Sequence, residues 1–404
     1  MTPAHFETEI WAGSYYPQLA IAVPSRLRSG LLQSRALDGI RISVKDMYHL
    51  KGVLTSFCNR GYQQLYGLQA DAADVIARLI SPGAVIVGKT HMCSFALAES
   101  PTQSVEYTFP FNPRGDGYQA PGGSSSGSAV AIASYDWLDF ALGTDTTGSS
   151  RIPALANGCF ALRPSTGAIN MDGIVSVYSR FDTPAVFGRD LTKFKALMTA
   201  LYPQGYNTEV GKAKKSLKAA KSKVIYYPPD FLPNDNKDQL RILEEFVKDL
   251  ATSFDAKLLT TSIADSWAET SPVEEKHLAT YLRNPFRSQF SDKYKQEPFA
   301  TEFVRWMWEV GQNTTQAEHD DMTKRMEIFR EWFFHSYMPI HRLEAILVLP
   351  VGTVQPNYRD TYSGVPETVT PGLRTTYLSP ILGAPELSVP ISQVSFKSRV
   401  SGKD

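Results

Sequence analysis

Two serine clusters and one lysine carry the chemistry open to this sequence. Ser149 stands in Gly143-Thr-Asp-Thr-Thr-Gly-Ser-Ser-Arg-Ile-Pro153, and Ser124 stands in Pro121-Gly-Gly-Ser-Ser-Ser-Gly-Ser-Ala129. Farther upstream, Lys45 closes the strand-like run Gly39-Ile-Arg-Ile-Ser-Val-Lys45. A serine hydroxyl is a weak nucleophile until a base takes its proton. Histidine is the usual base, yet none of the seven histidines has a fitting context, and His91 in Gly88-Lys-Thr-His-Met92 has no acidic residue close by to orient it. Lysine can replace it where burial and neighbouring donors bring its pKa down from ~10.4 and leave the amine neutral. Most lysines at strand ends are simply solvated, but Lys45 follows a buried run near the carboxyl edge of a sheet. Serine, serine and lysine together suggest amide hydrolysis without histidine.

The turns around these residues fit that chemistry. Gly122-Gly123 permits backbone shapes closed to other residues. A flexible linker is the plain reading of such a run, but apolar chain resumes at once at Ala129. Thr146-Thr147-Gly148-Ser149 follows a strand and can turn several N–H groups toward one point, as a developing oxyanion requires. Arg151 is placed to pair with Asp145 and hold the loop, a structural part. Gly83-Ala-Val-Ile-Val-Gly-Lys-Thr90 matches the nucleotide-binding pattern G-x-x-x-x-G-K-[ST] by letter. Its four intervening residues are apolar and strand-like where a phosphate loop is needed, so the match is read as chance.

The elements that must position these groups alternate. Ile40, Ile42 and Val44 alternate with polar residues as in a half-buried strand. Ala72, Val75, Ile76, Leu79 and Ile80 form one helical face, which Ser81-Pro82-Gly83 ends before the strand Ala84–Val87. This is βαβ order, which predicts an α/β fold with a mixed, largely parallel central sheet covered by helices. Ser128 to Ser134 reads as a buried small-residue helix leading to a strand at Phe140–Leu142. From about 236 to 342 the pattern is mostly helical, with Leu240, Leu243, Phe246, Val247 and Leu250 on one face. Helices at Phe303–Trp308 and Met322–Phe334 bring aromatics whose commoner fate is core packing, although an aromatic-lined pocket is open to them. Strands return at Ala345–Leu349 and Leu387–Ile391. Residues 1–404 thus read as a single domain with a helical insertion and no internal repeat.

Composition narrows the classes. With 43% hydrophobic and 20% charged residues and zero formal charge, the chain is a globular protein with nothing to draw nucleic acid to it. Lys212, Lys214, Lys215, Lys218, Lys221 and Lys223 lack interleaved aromatics and read as a solvated face running into the strand Val224–Tyr227. Three scattered cysteines, Cys58, Cys93 and Cys159, predict buried thiols in a reducing compartment and no metal site. No signal-peptide pattern or membrane-length apolar stretch is present, so a cytoplasmic location is expected.

The glycine- and serine-rich segments, with Leu37-Asp-Gly-Ile-Arg-Ile-Ser-Val-Lys-Asp46, resemble the signature of the amidase signature family. Ala84–Met92, Cys159–Gly167 and Leu387–Pro390 add to the likeness, which runs from about residue 36 onward and is weakest across the helical insertion. The resemblance implies Ser149 as nucleophile, Ser124 as bridging serine after a cis peptide bond and Lys45 as base. It implies an oxyanion hole from the N–H groups of Thr146, Thr147, Gly148 and Ser149, an acyl-enzyme, and no cofactor. A small carboxamide or an acyl or aryl amide is the implied substrate, and a homodimer is left open. Other readings are a non-catalytic binding or scaffold relative and the glutaminase subunit of a tRNA-dependent amidotransferase. The sequence departs from the family where Thr147 replaces a glycine and Ser150 an apolar residue, and the spacing from Ser124 to Ser149 is one residue longer. Family members also continue through a further strand and helix past the equivalent of Asp404, which implies a truncated chain.

Overall fold

In the computed structural model the described residues are 21, 23–26, 35–97, 100–202, 222–282, 301–312, 314–362, 364 and 373–403. The alternating run forms strand β1 (Arg41–Lys45), with Ile42 and Val44 fully buried. Helix α1 (Arg60–Tyr66) begins where the Asn59 side chain accepts the Tyr62 N–H. Helix α2 (Asp74–Ile80) buries Val75, Ile76 and Leu79, while Ile80, expected on that face, is 49% exposed. Strand β2 (Val85–Thr90) lies parallel to β1 and pairs Lys45 with Thr90. Gly88 and Lys89 of the phosphate-loop lookalike sit inside this strand, where Lys89 pairs with Asp46 at 2.9 Å.

Helix α3 (Ser126–Ser134) is built of small side chains, which let it pack closely on the sheet, and leads to β3 (Phe140–Asp145), buried along its whole length. Then come α4 (Arg151–Asn157), β4 (Phe160–Arg163), β5 (Thr183–Gly188) and α5 (Leu191–Leu201). The later chain forms β6 (Ser222–Tyr226), α6 (Lys237–Phe254), β7 (Lys257–Leu259), α7 (Ile263–Thr270) and α8 (Leu278–Tyr281). It ends with α9 (Glu302–Gln312), α10 (Gln316–Trp332), β8 (Leu343–Leu347), α11 (Thr375–Leu382) and β9 (Glu386–Ser388).

The main sheet is mixed and runs β2-β1-β3-β5-β4-β9. Strand β1 is parallel to both neighbours, whereas the β3–β5, β5–β4 and β4–β9 pairs are antiparallel. A second sheet, β7-β6-β8, is parallel throughout. Strand β7 falls inside the stretch expected to be helical, and β8 forms two residues earlier than expected. Strand β9 ends at Ser388 although a run to Ile391 was expected, because Pro390 has no N–H to extend a ladder.

Of the aromatics in the helical stretch, Phe329, Trp332 and Phe333 went to the core and Trp308 and Phe334 pack against it, while Phe303 and Trp306 are half-buried outside it. Trp267, Phe329, Trp332 and Phe333 pack as one buried cluster, and Trp308 meets Phe95 with ring centroids 5.2 Å apart. Cys58, Cys93 and Cys159 are all buried thiols outside any disulfide. Of the lysine-rich run, Lys212, Lys214, Lys215, Lys218 and Lys221 lie outside the described residues, and Lys223 on β6 donates to the Phe254 carbonyl at 3.0 Å. Among the described residues no helix is long and apolar enough to cross a membrane.

Candidate active site

Lys45 ends β1 with its side chain wholly buried. Its Nζ donates to Ser124 Oγ and to Thr144 Oγ1, each at 2.8 Å. Burial pushes the ammonium down to about 8, against the opposing pull of Cys93, Asp145 and Asp182. Among the described residues no carboxylate bonds the amine, so none in direct contact holds the proton on. A neutral amine bonded to a hydroxyl is an arrangement that can accept the hydroxyl's proton.

Ser124 is buried in the loop before α3, and the Gly123–Ser124 peptide bond is cis. Its carbonyl accepts the Cys93 N–H at 3.0 Å, which ties the loop to the chain after β2. One residue on, the Ser125 N–H donates to the Ser149 carbonyl at 3.1 Å, and Ser125 Oγ bonds the Thr144 carbonyl at 3.1 Å. The two serine clusters are thereby stitched together through backbone groups. The structure places Lys45 and Ser124 in direct contact and joins Ser149 to them through Ser125. Ser149 itself is half-buried on the turn between β3 and α4.

Asp145 shapes that turn. Its Oδ1 accepts the Gly148 N–H at 3.0 Å and Arg151 Nη2 at 2.8 Å. Its Oδ2 accepts the Ser150 N–H at 3.0 Å, Ser150 Oγ at 2.7 Å and Arg151 Nε at 3.1 Å. Burial alone would raise this carboxyl, but Arg151, with Arg163 and the Ser150 N–H, together outweigh it and hold the group well below the usual carboxylate range. The expected Asp145–Arg151 pair is thus present, fully buried, and extended by Arg151 Nη1 to Glu386 on β9 at 2.9 Å. Ser150, the neighbouring hydroxyl, is spent on Asp145 and faces away from solvent.

One expected oxyanion donor needs correcting. The Gly148 N–H is taken by Asp145, so it is not free for a substrate oxygen. Among the described residues the N–H groups of Thr146, Thr147 and Ser149 donate to no protein acceptor. Thr147 needs no left-handed backbone, because the positive φ of the turn, 122°, belongs to Gly148. The Thr146 hydroxyl donates to Asp182 Oδ1 at 2.5 Å, and Asp182 Oδ2 gathers Ser176 Oγ and the Val177 and Tyr178 N–H groups. Among the described residues the His91 ring bonds none of Lys45, Ser124 and Ser149. Burial pushes it down to about 4, and its Nδ1 meets Ser126 Oγ at 3.3 Å.

Sequence reasoning missed Thr144, Ser125 and Asp182. Thr144 had a readable signal: it lies two residues past Leu142 on β3, the strand that leads to the Ser149 turn. Among the described residues no group of three or more His, Cys, Asp or Glu side chains could hold a metal ion.

Known proteins resemble this chain in sequence and in fold. The chain is 36% identical over 171 residues to amidase 1 of Oryza sativa subsp. japonica, covering 42% of this chain and 39% of that protein. It is 34% identical over 225 residues to a glutamyl-tRNA(Gln) amidotransferase subunit of Clostridium botulinum, covering 53% of this chain and 45% of the relative. The chain thus spans less than half the length of these curated relatives. In structure it resembles the K. lactis urea amidolyase with a TM-score of 0.67 and 21% identity, over 91% of this chain and 21% of that one. The model of the Amidase family matches residues 15–395, nearly the whole sequence, and the chain belongs to that family.

Proposed function

We propose that this protein hydrolyses an amide C–N bond through a covalent Ser149 acyl-enzyme. The observation that carries the reading is the 2.8 Å bond from the buried Lys45 Nζ to Ser124 Oγ. In the proposed sequence neutral Lys45 takes the Ser124 proton while Ser124 takes the Ser149 proton. Ser149 Oγ then attacks the amide carbonyl, and the oxyanion rests on the N–H groups of Thr146, Thr147 and Ser149. The proton returns through Ser124 to the leaving nitrogen, the C–N bond breaks, and water later cleaves the acyl ester. The substrate is a small carboxamide or an acyl or aryl amide, and the helical stretch at about 236–342 is an insertion within one catalytic domain.

Mass spectrometry after treatment with a fluorophosphonate tests this. One label is expected on Ser149, absent in Ser149→Ala and in Lys45→Ala. No label on folded protein would leave a non-catalytic relative as the better reading. The likeness to an amidotransferase component favours one further reading, a glutaminase working inside a complex. That reading requires glutamine as substrate and a stable protein partner. Pull-down from the native host with glutamine turnover separates it from a free-standing amidase.

A further inference from the structure

A polar cleft lies outside the Lys45–Ser124–Ser149 cluster, between α10, the segment before β5 and the end of α11. It measures about 140 Å³ and is lined by Arg180, Glu327, Arg330 and Thr166 over an apolar floor that includes Phe181 and Ile381. Arg180 is held by Glu327 at 2.9 Å. Arg330 is different: among the described residues its guanidinium donates to no acceptor, and it is exposed. A Cβ on Gly383 would stand 3.4–3.5 Å from its Cζ, Nη1 and Nη2 alike. The guanidinium therefore lies face-on over Gly383, and its N–H edge stays free. A planar, pre-oriented guanidinium edge is matched to a carboxylate, which it can hold through two parallel hydrogen bonds.

Behind the cleft is another arginine, Arg163, with no exposed surface. Its Nη2 donates to Thr166 Oγ1 at 3.0 Å and to the Phe181 carbonyl at 2.9 Å, so it fixes two lining residues. Its Nη1 is buried with no partner, and its Nε reaches Asp145 Oδ1 only at 3.8 Å. Two guanidinium groups, Arg180 and Arg330, line the cleft against the single carboxylate of Glu327, which leaves it short of negative charge.

We propose that this cleft binds a small carboxylate between the guanidinium groups of Arg330 and Arg180. Its walls continue into the nucleophile turn by two routes. Arg163 links Phe181 to Asp145, which holds Gly148 and Ser150, and α11 carries Ile381 at one end and Thr376 beside Gly148 at the other. The carboxylate has two sources, an acid group on the amide substrate or a free acid such as the hydrolysis product. The existence of the site does not depend on the proposed activity, although the choice between these sources does.

Calorimetric titration of the full chain with succinate, at ionic strength held constant with sodium chloride, tests the site. Binding in about the millimolar range is expected. Arg330→Met should weaken it about tenfold or more, and Arg325→Met, whose guanidinium pairs with Asp321 outside the cleft, should not. The neutral diamide succinamide should give no heat. No binding to the unaltered chain, or undiminished binding to both Arg330→Met and Arg180→Met, overturns the proposal. The source is then read from KM: a raised value in Arg330→Met for succinamic acid but not for succinamide assigns the acid to the substrate. Succinate that alters the rate of fluorophosphonate labelling without competing with a neutral amide assigns it to a free acid. Failure of the hydrolase reading shows separately, as an unlabelled Ser149 in a chain that still titrates with succinate.

Discussion

If Lys45 is the base, the nucleophile must switch on with the loss of that lysine's proton. Burial brings Lys45 from its ordinary 10.5 to about 8, so at pH 7 roughly one molecule in ten holds a neutral amine. An ordinary lysine would be neutral in about three molecules in ten thousand, so burial raises the competent fraction some 300-fold. The rate constant for fluorophosphonate labelling of Ser149, followed from about pH 5.5 to 9.5, should climb nearly tenfold per pH unit and level off above about 8. Lys45→Arg keeps the charge at every pH and should label on the order of 10²–10⁴-fold more slowly. Stability should follow the same proton. Between about 8 and 10.5 the unfolded chain holds the proton that the folded chain has released, so stability rises with pH across that window, by about 3 kcal/mol at most. A labelling profile already flat from pH 5 upward would refute the reasoning, since that is the behaviour of a base titrating near 4, where burial holds His91.

Three other substitutions probe the surroundings. Thr144→Val deletes the second acceptor of Lys45 Nζ, and labelling should slow about tenfold while Thr144→Ser restores it. Asp145→Asn leaves the buried Arg151 guanidinium without its full counter-charge, and urea denaturation should show a loss of about 3–5 kcal/mol. Ser150→Ala removes a hydroxyl already bonded to Asp145, so a single label should still form and peptide mapping should still place it on Ser149.

Elements with one clear period were legible in the sequence, and those whose shape depends on distant partners were not. Strand β1 and helix α2 follow from apolar residues spaced by two or by three and four, and strand β2 from a short continuous apolar run after the Ser81-Pro82-Gly83 stop. Strand β7, by contrast, is the three residues Lys257–Leu259 between two helices, too short to show a period, and it extends only because β6 offers it a parallel edge. The exposure of Ile80 has a similar cause: it ends α2, beyond the neighbours that cover Leu79. At the site, Lys45, Ser124 and Ser149 were legible as residue types in glycine-rich or strand-end settings. The commitment of the Gly148 N–H was not, because it depends on which way the Asp145 carboxylate turns.

The separation of Lys45 from Ser124 by 79 residues, and from Thr144 by 99, shows why the strand register matters more than any single motif. Parallel pairing sets Ile42 against Phe140 and Val44 against Leu142, so Lys45 leaves β1 beside Gly143 and Thr144. A slip of one residue would turn Lys45 to the other face of the sheet and bring Asp46 into its place. The sequence protects this register at Gly143, where a Cβ would come within 2.6 Å of Phe187 and 2.8 Å of Ser125 Oγ. Tyr48, fully buried, adds a hydroxyl bond to the Gly143 carbonyl. Any side chain at Gly143 would therefore push Ser125 away, and with it the backbone bond from Ser125 to Ser149. A glycine that contributes no functional group thus keeps Lys45, Ser124 and the Ser149 turn in one place.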